Sequence, residues 1–244
     1  MREPGQDAVT APVEFGEAVA PHHHRIDTDD WDDVYIVGDV HGCRDAFVRL
    51  LDDELNVGET DLVVCVGDIV RKGPDSKGAL AVVRERENVI SVRGNNEQGL
   101  LDGTKSDSAL GESDIAFIET LPLAISFDDA LVVHGGLDHR KAVGDHDPTD
   151  ILNMRSLAGS GYERPFWFEA RAERPQVLFG HTVLSEAFAT PYAVGLDTGC
   201  VYGGELTAYD WYAEEFVAVD PSETYRDRSA DSIVDPRPKE RLAE

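Results

Sequence analysis

Lysine is scarce, with five in 244 residues, and all Lys and Arg together number 22 against 48 acidic groups. The formal net charge is −26. A surface of that sign repels nucleic acid and anionic membranes, so direct binding to either is not expected. Cysteine is scarcer still. Cys43, Cys65 and Cys200 are odd in number and far apart, which excludes CxxC pairs and a disulfide framework and points to reduced thiols. Long apolar runs are missing too: no stretch of about eighteen apolar residues offers a membrane span. The first thirty residues hold no apolar segment suited to a signal peptide, so a cytoplasmic location is the expectation. The acid is spread along the whole chain, and screening ions would relieve its self-repulsion, which points to a salt-rich cytoplasm. The sequence is silent on oligomeric state.

Against these absences stands a body with regular patterning. Residues 1–30 are acidic, rich in Pro and His, and without hydrophobic periodicity, so they read as a mobile N-terminal tail. Residues 221–244, with Pro221, Pro236 and Pro238 among alternating charges, read as a flexible C-terminal tail. The domain is expected over 31–220. Its first half alternates apolar strands at 34–37, 62–66 and 89–92 with helical spacing over 43–54 and 75–86, a βαβαβ pattern. The second half is richer in strands. A hairpin is expected around Asp128-Asp129 (123–127 with 130–133), then a helix at 149–157 and strands at 177–179, 192–194, 206–209 and 216–219.

In sheets with crossover helices, ligands gather beyond the carboxyl ends of the strands. Five motifs fall at such ends, in order: Gly38-Asp39-Val40-His41-Gly42, Gly67-Asp68, Gly94-Asn95, His134-Gly135-Gly136 and Gly180-His181. Carboxylate, imidazole and amide oxygen are donors that suit Mn, Fe or Zn. Asp39 and His41, two apart, can face one metal from a single loop. A lone Asp-x-His or a lone His after a strand carries little weight; five such motifs with glycines beside them in fixed order carry much more.

These motifs, with Gly-Asp-x-Val-x-Lys-Gly-Pro-Asp-Ser (67–76), Arg-Gly-Asn-x-Glu (93–97), Gly-His-Thr (180–182) and the segment Leu196–Gly204, resemble the phosphoprotein phosphatase branch of the calcineurin-like metallophosphoesterases over about residues 33–211. Lys72-Gly73-Pro74 and Asn153-Met154-Arg155-Ser156-Leu157 are most similar to the diadenosine-tetraphosphatase-like subgroup. The resemblance implies an α/β fold, a four-layer α/β/β/α sandwich with mixed sheets and a dinuclear metal site at strand carboxyl ends. It implies one metal on Asp39, His41 and Asp68 and a second on Asp68, Asn95, His134 and His181. Both would be divalent, Mn first, with Fe, Zn or Co as alternatives. A bridging hydroxide would attack phosphorus. Lys72, Arg155 and Arg93 are the candidate phosphate-binding groups. Lys72 stands where many members have Arg, and lacks its bidentate fork.

One departure bears on mechanism. The family motif Gly-Asn-His supplies a His proposed to protonate the leaving oxygen, but position 96 is Asn. The family Asp that orients this His is replaced by Arg71. Asn cannot donate a proton in that role, and loss of a general acid costs about 10²–10⁴-fold. The cost falls on alkyl leaving groups such as serine far more than on anhydrides or aryl phosphates. Three functions therefore compete: a hydrolase of phosphate monoesters or nucleotide anhydrides, a serine/threonine phosphoprotein phosphatase, and a catalytically weak module that binds a phosphorylated ligand. Substrates are accordingly a phosphorylated small molecule, a nucleotide or a phosphoprotein.

Other features carry less. His22-His23-His24 reads as a disordered run, and His139 and His146 as solvated loop residues. Asp138 or His139 could supply a substitute acid. Phe166-Trp167-Phe168 reads as packing, Gly203-Gly204 as a hairpin between two strands, and Asp197 as structural.

Overall fold

The computed structural model describes residues 13–159 and 161–237. Strand β1 (His23–Arg25) is followed by β2 (Val34–Val37), α1 (Arg44–Arg49), β3 (Leu62–Cys65), α2 (Ser76–Glu85), β4 (Val89–Ser91), α3 (Asn95–Leu101) and α4 (Glu112–Thr120). Next come β5 (Ala124–Phe127), β6 (Ala130–Val133), α5 (Pro148–Asn153), α6 (Trp167–Ala170), β7 (Gln176–Phe179), β8 (Phe188–Thr190) and β9 (Ala193–Gly195). The hairpin β10 (Leu206–Asp210) and β11 (Glu215–Val219) completes the set.

The strands form two mixed sheets, ordered β1-β5-β6-β7-β9-β8 and β11-β10-β2-β3-β4. Successive side chains of a strand point to opposite faces, so the apolar runs of β2, β3, β6 and β7 make both faces of the sheets apolar there. From β2 and β3, Val34, Ile36, Leu62 and Val64 point between the sheets and meet Ile125, Val132, Leu178 and Val194. The alternate residues Val37, Val63 and Cys65 point outward against Phe47 and Leu50 of the first helical segment and Leu80 and Val83 of α2. On the far side, Leu131, Val133, Val177 and Phe179 pack under Ile151, Leu152 and Phe166-Trp167-Phe168. The result is the expected α/β/β/α sandwich. Helix α2 starts at Asp75, whose Oδ1 accepts from the Gly78 amide at 2.8 Å. Helix α1 continues as a wider turn over Leu50–Glu54.

Part of each expected tail packs on the body of the fold. Within the first, Phe15 and Val19 are buried in the outer core, and β1 pairs in parallel with β5, His23 opposite Ala124. Three residues of strand are too few to show a period, yet they cover what would be an open sheet edge. His22-His23-His24 is thus part of a turn and strand; His23 Nε2 lies 2.8 Å from Ser126 Oγ. Within the second, the Tyr225 and Arg226 amides donate to Val201 O, and Val234 is buried beside Leu184. Residues 1–12 and 238–244 of the expected tails lie outside the described residues.

Candidate metal centre

Strands β2, β3 and β4 of one sheet and β6 and β7 of the other point their carboxyl ends at one place. The residues just past them are Asp39, Asp68, Asn95, His134 and His181. Oxygens of Asp39 and Asp68 and a ring nitrogen of His134, all three residues buried, lie within 4.8 Å of one another. His41 Nε2 is 3.7 Å from Asp39 Oδ2 and 3.6 Å from Asp68 Oδ2, and His134 Nε2 is 3.4 Å from Asp68 Oδ1. The amide of His181 donates to the Asp39 carboxylate at 3.2 and 3.3 Å.

The loops that carry these groups are held in conformations a free chain avoids. His41, Asp68, Arg71, Lys72 and His181 all have positive φ, between 49° and 73°. Tight backbone bonds hold them there: the His41 amide to Asp68 O at 2.7 Å and the Gly73 amide to His41 O at 2.8 Å. The carboxylate of Glu97, wholly buried, joins two strand ends. Its Oε2 accepts from the amides of Asp68 (2.9 Å) and Gly94 (2.8 Å), and its Oε1 from Val70 (3.1 Å). Two glycines are required by close approach. A Cβ on Gly180 would lie 1.9 Å from Asp39 Oδ1. One on Gly136, at φ +128°, would lie 2.1 Å from the Trp167 ring, whose Nε1 donates to Gly135 O at 3.0 Å.

The buried carboxylates and the imidazole shift one another strongly. Burial and the Asp197 carboxylate raise Asp39 well above the ordinary value. Burial works against the charge of Asp68 too, but His134, His41 and Lys72 outweigh it and hold that carboxyl well below the usual range. Burial pushes His134 down, yet Asp68 and Asp39 lift it to about 9. His134 Nδ1 lies 2.9 Å from Val66 O and donates to it, leaving Nε2, buried and without a hydrogen-bond partner, turned to the carboxylates. An orphaned imidazole nitrogen beside two buried carboxylates fits a divalent ion with N and O ligands.

The centre lies in a cleft of about 350 Å³. Lys72 Nζ donates to His41 Nε2 at 2.7 Å, and Arg155 Nη2 to His181 Nε2 at 2.7 Å, so two of the three candidate phosphate-binding groups are at the centre. Arg93 is not among the residues lining the cleft. It donates to Gln98 Oε1 (3.0 Å) and to the carbonyls of Glu119 (2.7 Å) and Leu121 (3.0 Å), and so braces the end of α4. Asn96 is buried and donates from its backbone amide (2.8 Å) and its Nδ2 to Asp68.

Several positions that line the cleft escaped sequence reasoning. Arg228 comes from the expected C-terminal tail. It sits 4.7 Å over the Tyr202 ring and donates to the Tyr162 hydroxyl. Arg155 stacks on the other partner, 4.6 Å from the Tyr162 centroid. Lys105, at 3.2 Å from Asn96 Oδ1, completes the cationic lining. The only advance signal for Arg228 was Tyr225 and Val234 in a polar stretch. Asp197, read as structural, lines the cleft and is buried. His146 is buried, not solvated: its Nε2 accepts from the Asp138 amide at 3.0 Å, while His139 is exposed. The Arg140 guanidinium holds Asp138 down to about 2, and neither Asp138 nor His139 is among the residues lining the cleft. Gly203 ends a short 3-10 turn (Cys200–Tyr202), so Gly203-Gly204 is no hairpin. Phe166, Trp167 and Phe168 are all core.

A family model described as calcineurin-like phosphoesterase matches residues 33–231. Serine/threonine-protein phosphatase 1 of Salmonella typhimurium is 28% identical over 209 residues, which covers 76% of this chain and 94% of that protein. The asymmetrical bis(5'-nucleosyl)-tetraphosphatase PrpE of Geobacillus sp. WCH70 is 28% identical over 234 residues, covering 78% and 95%. Among solved structures, a crystal structure named "putative diadenosine tetraphosphatase" matches with a TM-score of 0.72 at 28% identity, over 81% of this chain and 97% of that one.

Proposed function

This chain belongs to the calcineurin-like phosphoesterase family and is a hydrolase acting on phosphoesters, and from that premise we propose that its substrates are nucleoside polyphosphates, of the diadenosine tetraphosphate kind, cleaved at an anhydride bond. Asn96 carries this reading. Its side-chain NH₂ is committed to Asp68, and it has no proton to transfer. An anhydride leaves as a phosphate oxyanion and needs none, whereas serine leaves as a strongly basic alkoxide.

Asp39, His41 and Asp68 would hold one divalent ion, and Asp68, Asn95, His134 and His181 the other. Mn²⁺ is the metal we propose, since a mixed carboxylate, imidazole and amide set suits it. When bound, two such ions neutralise phosphoryl oxygens and acidify an attacking water. The chain's own residues do the rest. Lys72 and Arg155 take the oxygens of the phosphoryl group under attack. Glu97 keeps Asp68 and Asn95 in register through the backbone. Tyr162, Tyr202 and Arg228 wall the cleft. The setting we propose is a salt-rich cytoplasm.

The test is a panel of diadenosine tetraphosphate, p-nitrophenyl phosphate and a phosphoserine peptide, with Mn in high KCl and Asp68→Asn as the inactive control. The anhydride should exceed the phosphoserine peptide in kcat/KM by about 10²-fold or more. Comparable rates on both would overturn the proposal and favour the phosphoprotein reading, which the similarity to the Salmonella phosphatase supports.

A further inference from the structure

Five of the 22 basic residues of this acidic chain line one cleft, and they fall into two groups. Lys72, Arg155 and Arg228 are joined through the Tyr162 and Tyr202 rings around His41 and His181. The second group is Arg71 and Lys105. Arg71 Nη1 donates to Asn96 Oδ1 at 2.6 Å, and Lys105 Nζ to the same oxygen at 3.2 Å. The orientation of the Asn96 amide is set on both ends: its NH₂ meets carboxylate and amide oxygens of Asp68 and Asn95, and its carbonyl meets the two cations. An imidazole has only one acceptor nitrogen and could not serve both cations while donating to Asp68. The replacements at 71 and 96 therefore make a coherent pair, in which a fixed guanidinium stands where a carboxylate would steady a protonated ring.

We propose that Arg71 and Lys105, gathered on the Asn96 carbonyl, form a leaving-group subsite that binds the anionic oxygens of the departing nucleotide phosphate. This deepens the anhydride reading and rests on it. In the step, the oxygen of water bonds to phosphorus and the bond from phosphorus to the bridging oxygen breaks. The electron pair stays on that bridging oxygen, as a phosphate oxyanion of the leaving nucleotide, and the proton of the attacking water passes to solvent. Charge on the leaving oxygen is met by fixed cations, so proton donation is not required. The competing explanation is that Arg71 and Lys105 only brace the loop after α3. Arg71 Nε does donate to Ser106 O at 3.3 Å, and Lys105 Nζ to Asn95 O at 2.9 Å.

The variants Arg71→Met and Lys105→Met separate these roles, assayed with Mn in excess over all phosphate ligands. Each should lower kcat/KM on diadenosine tetraphosphate by about 10- to 100-fold, the range for losing one charge-assisted hydrogen bond. On p-nitrophenyl phosphate, whose leaving group carries no phosphate, the change should stay below about 3-fold. Arg71→Lys and Lys105→Arg should restore most of the anhydride rate. A binding arm needs no turnover: pyrophosphate should raise the melting temperature of the wild type more than orthophosphate does, and the Met variants should lose that preference. Equal losses on both substrates, or a pyrophosphate preference that survives in the variants, would overturn the subsite. A wild type inactive on anhydrides would sink the proposed function alone, because the pyrophosphate arm still judges the cations.

Discussion

Replacing Glu97 by Gln removes one oxygen from a carboxylate that three backbone amides share. In the better orientation, the Gln carbonyl takes the Oε2 position and keeps the Asp68 and Gly94 amides. Its NH₂ then faces the Val70 amide, donor against donor, across the 3.1 Å that a hydrogen bond now spans. The lost bond is charge-assisted and costs about 1.5–3 kcal/mol. The two survivors drop to neutral strength, roughly another 1 kcal/mol each. Part of this is offset. Burial, with the Asp68 charge beside it, raises Glu97 to about 6, so the wild-type carboxylate is itself disfavoured and the amide relieves that pressure. A net loss of about 1–3 kcal/mol follows, or roughly 2–12 °C in Tm for a chain of this size. The assay is thermal unfolding by circular dichroism after chelation, so that bound metal does not mask the change, with metal stoichiometry measured separately. Both Tm and Mn bound per chain should fall. A metal-free Tm within 1 °C of wild type, with full metal loading, would refute the view that this carboxylate joins the strand ends.

The double substitution Arg71→Asp with Asn96→His should raise phosphoserine cleavage and lower anhydride cleavage, whereas Asn96→His alone should gain little because Arg71 would face the new ring; kcat/KM on both substrates decides it. Unfolding free energy should rise from low to multimolar KCl, since a net charge of −26 is screened; stability flat in salt would count against it. Burial, Arg25 and His24 lower His23 to about 4. The folded state then binds fewer protons than the unfolded one between about pH 6.5 and 4, and stability falls as pH drops through that window. Urea unfolding at pH 7 and pH 5 should show a smaller loss for His23→Gln than for the wild type, and parallel losses would exclude the effect.

Local patterning reached far in this chain. Strands β2, β3, β4, β6 and β7 are short, largely apolar runs closed by glycine and a candidate metal donor, because a strand covered on both faces is apolar along its length and its loop must turn sharply. Strand β2 fell at the expected 34–37, β3 and β4 within one residue of expectation, and residues from all five motifs lie together, His134 beside Asp39 and Asp68 and the others along the cleft. Segments whose burial comes from partners far along the chain were not legible. Strand β1 has three residues and is ordered only by the open edge of β5. Arg228 reaches the cleft because Tyr225, Arg226 and Val234 anchor a polar segment to the body. Arg93 and His146 look like loop residues in one dimension and are buried by their hydrogen bonds in three.

The sequence by itself determined the candidate donor set, its order and the presence of Asn rather than His at position 96. Those are properties of single residues and of short runs next to them. Only the tertiary structure decided what replaced that His, because Arg71, Asn96 and Lys105 come from three separate segments with no common spacing. Two cations and an amide oxygen meet there because parallel pairing within one sheet brings the carboxyl ends of β3 and β4 side by side.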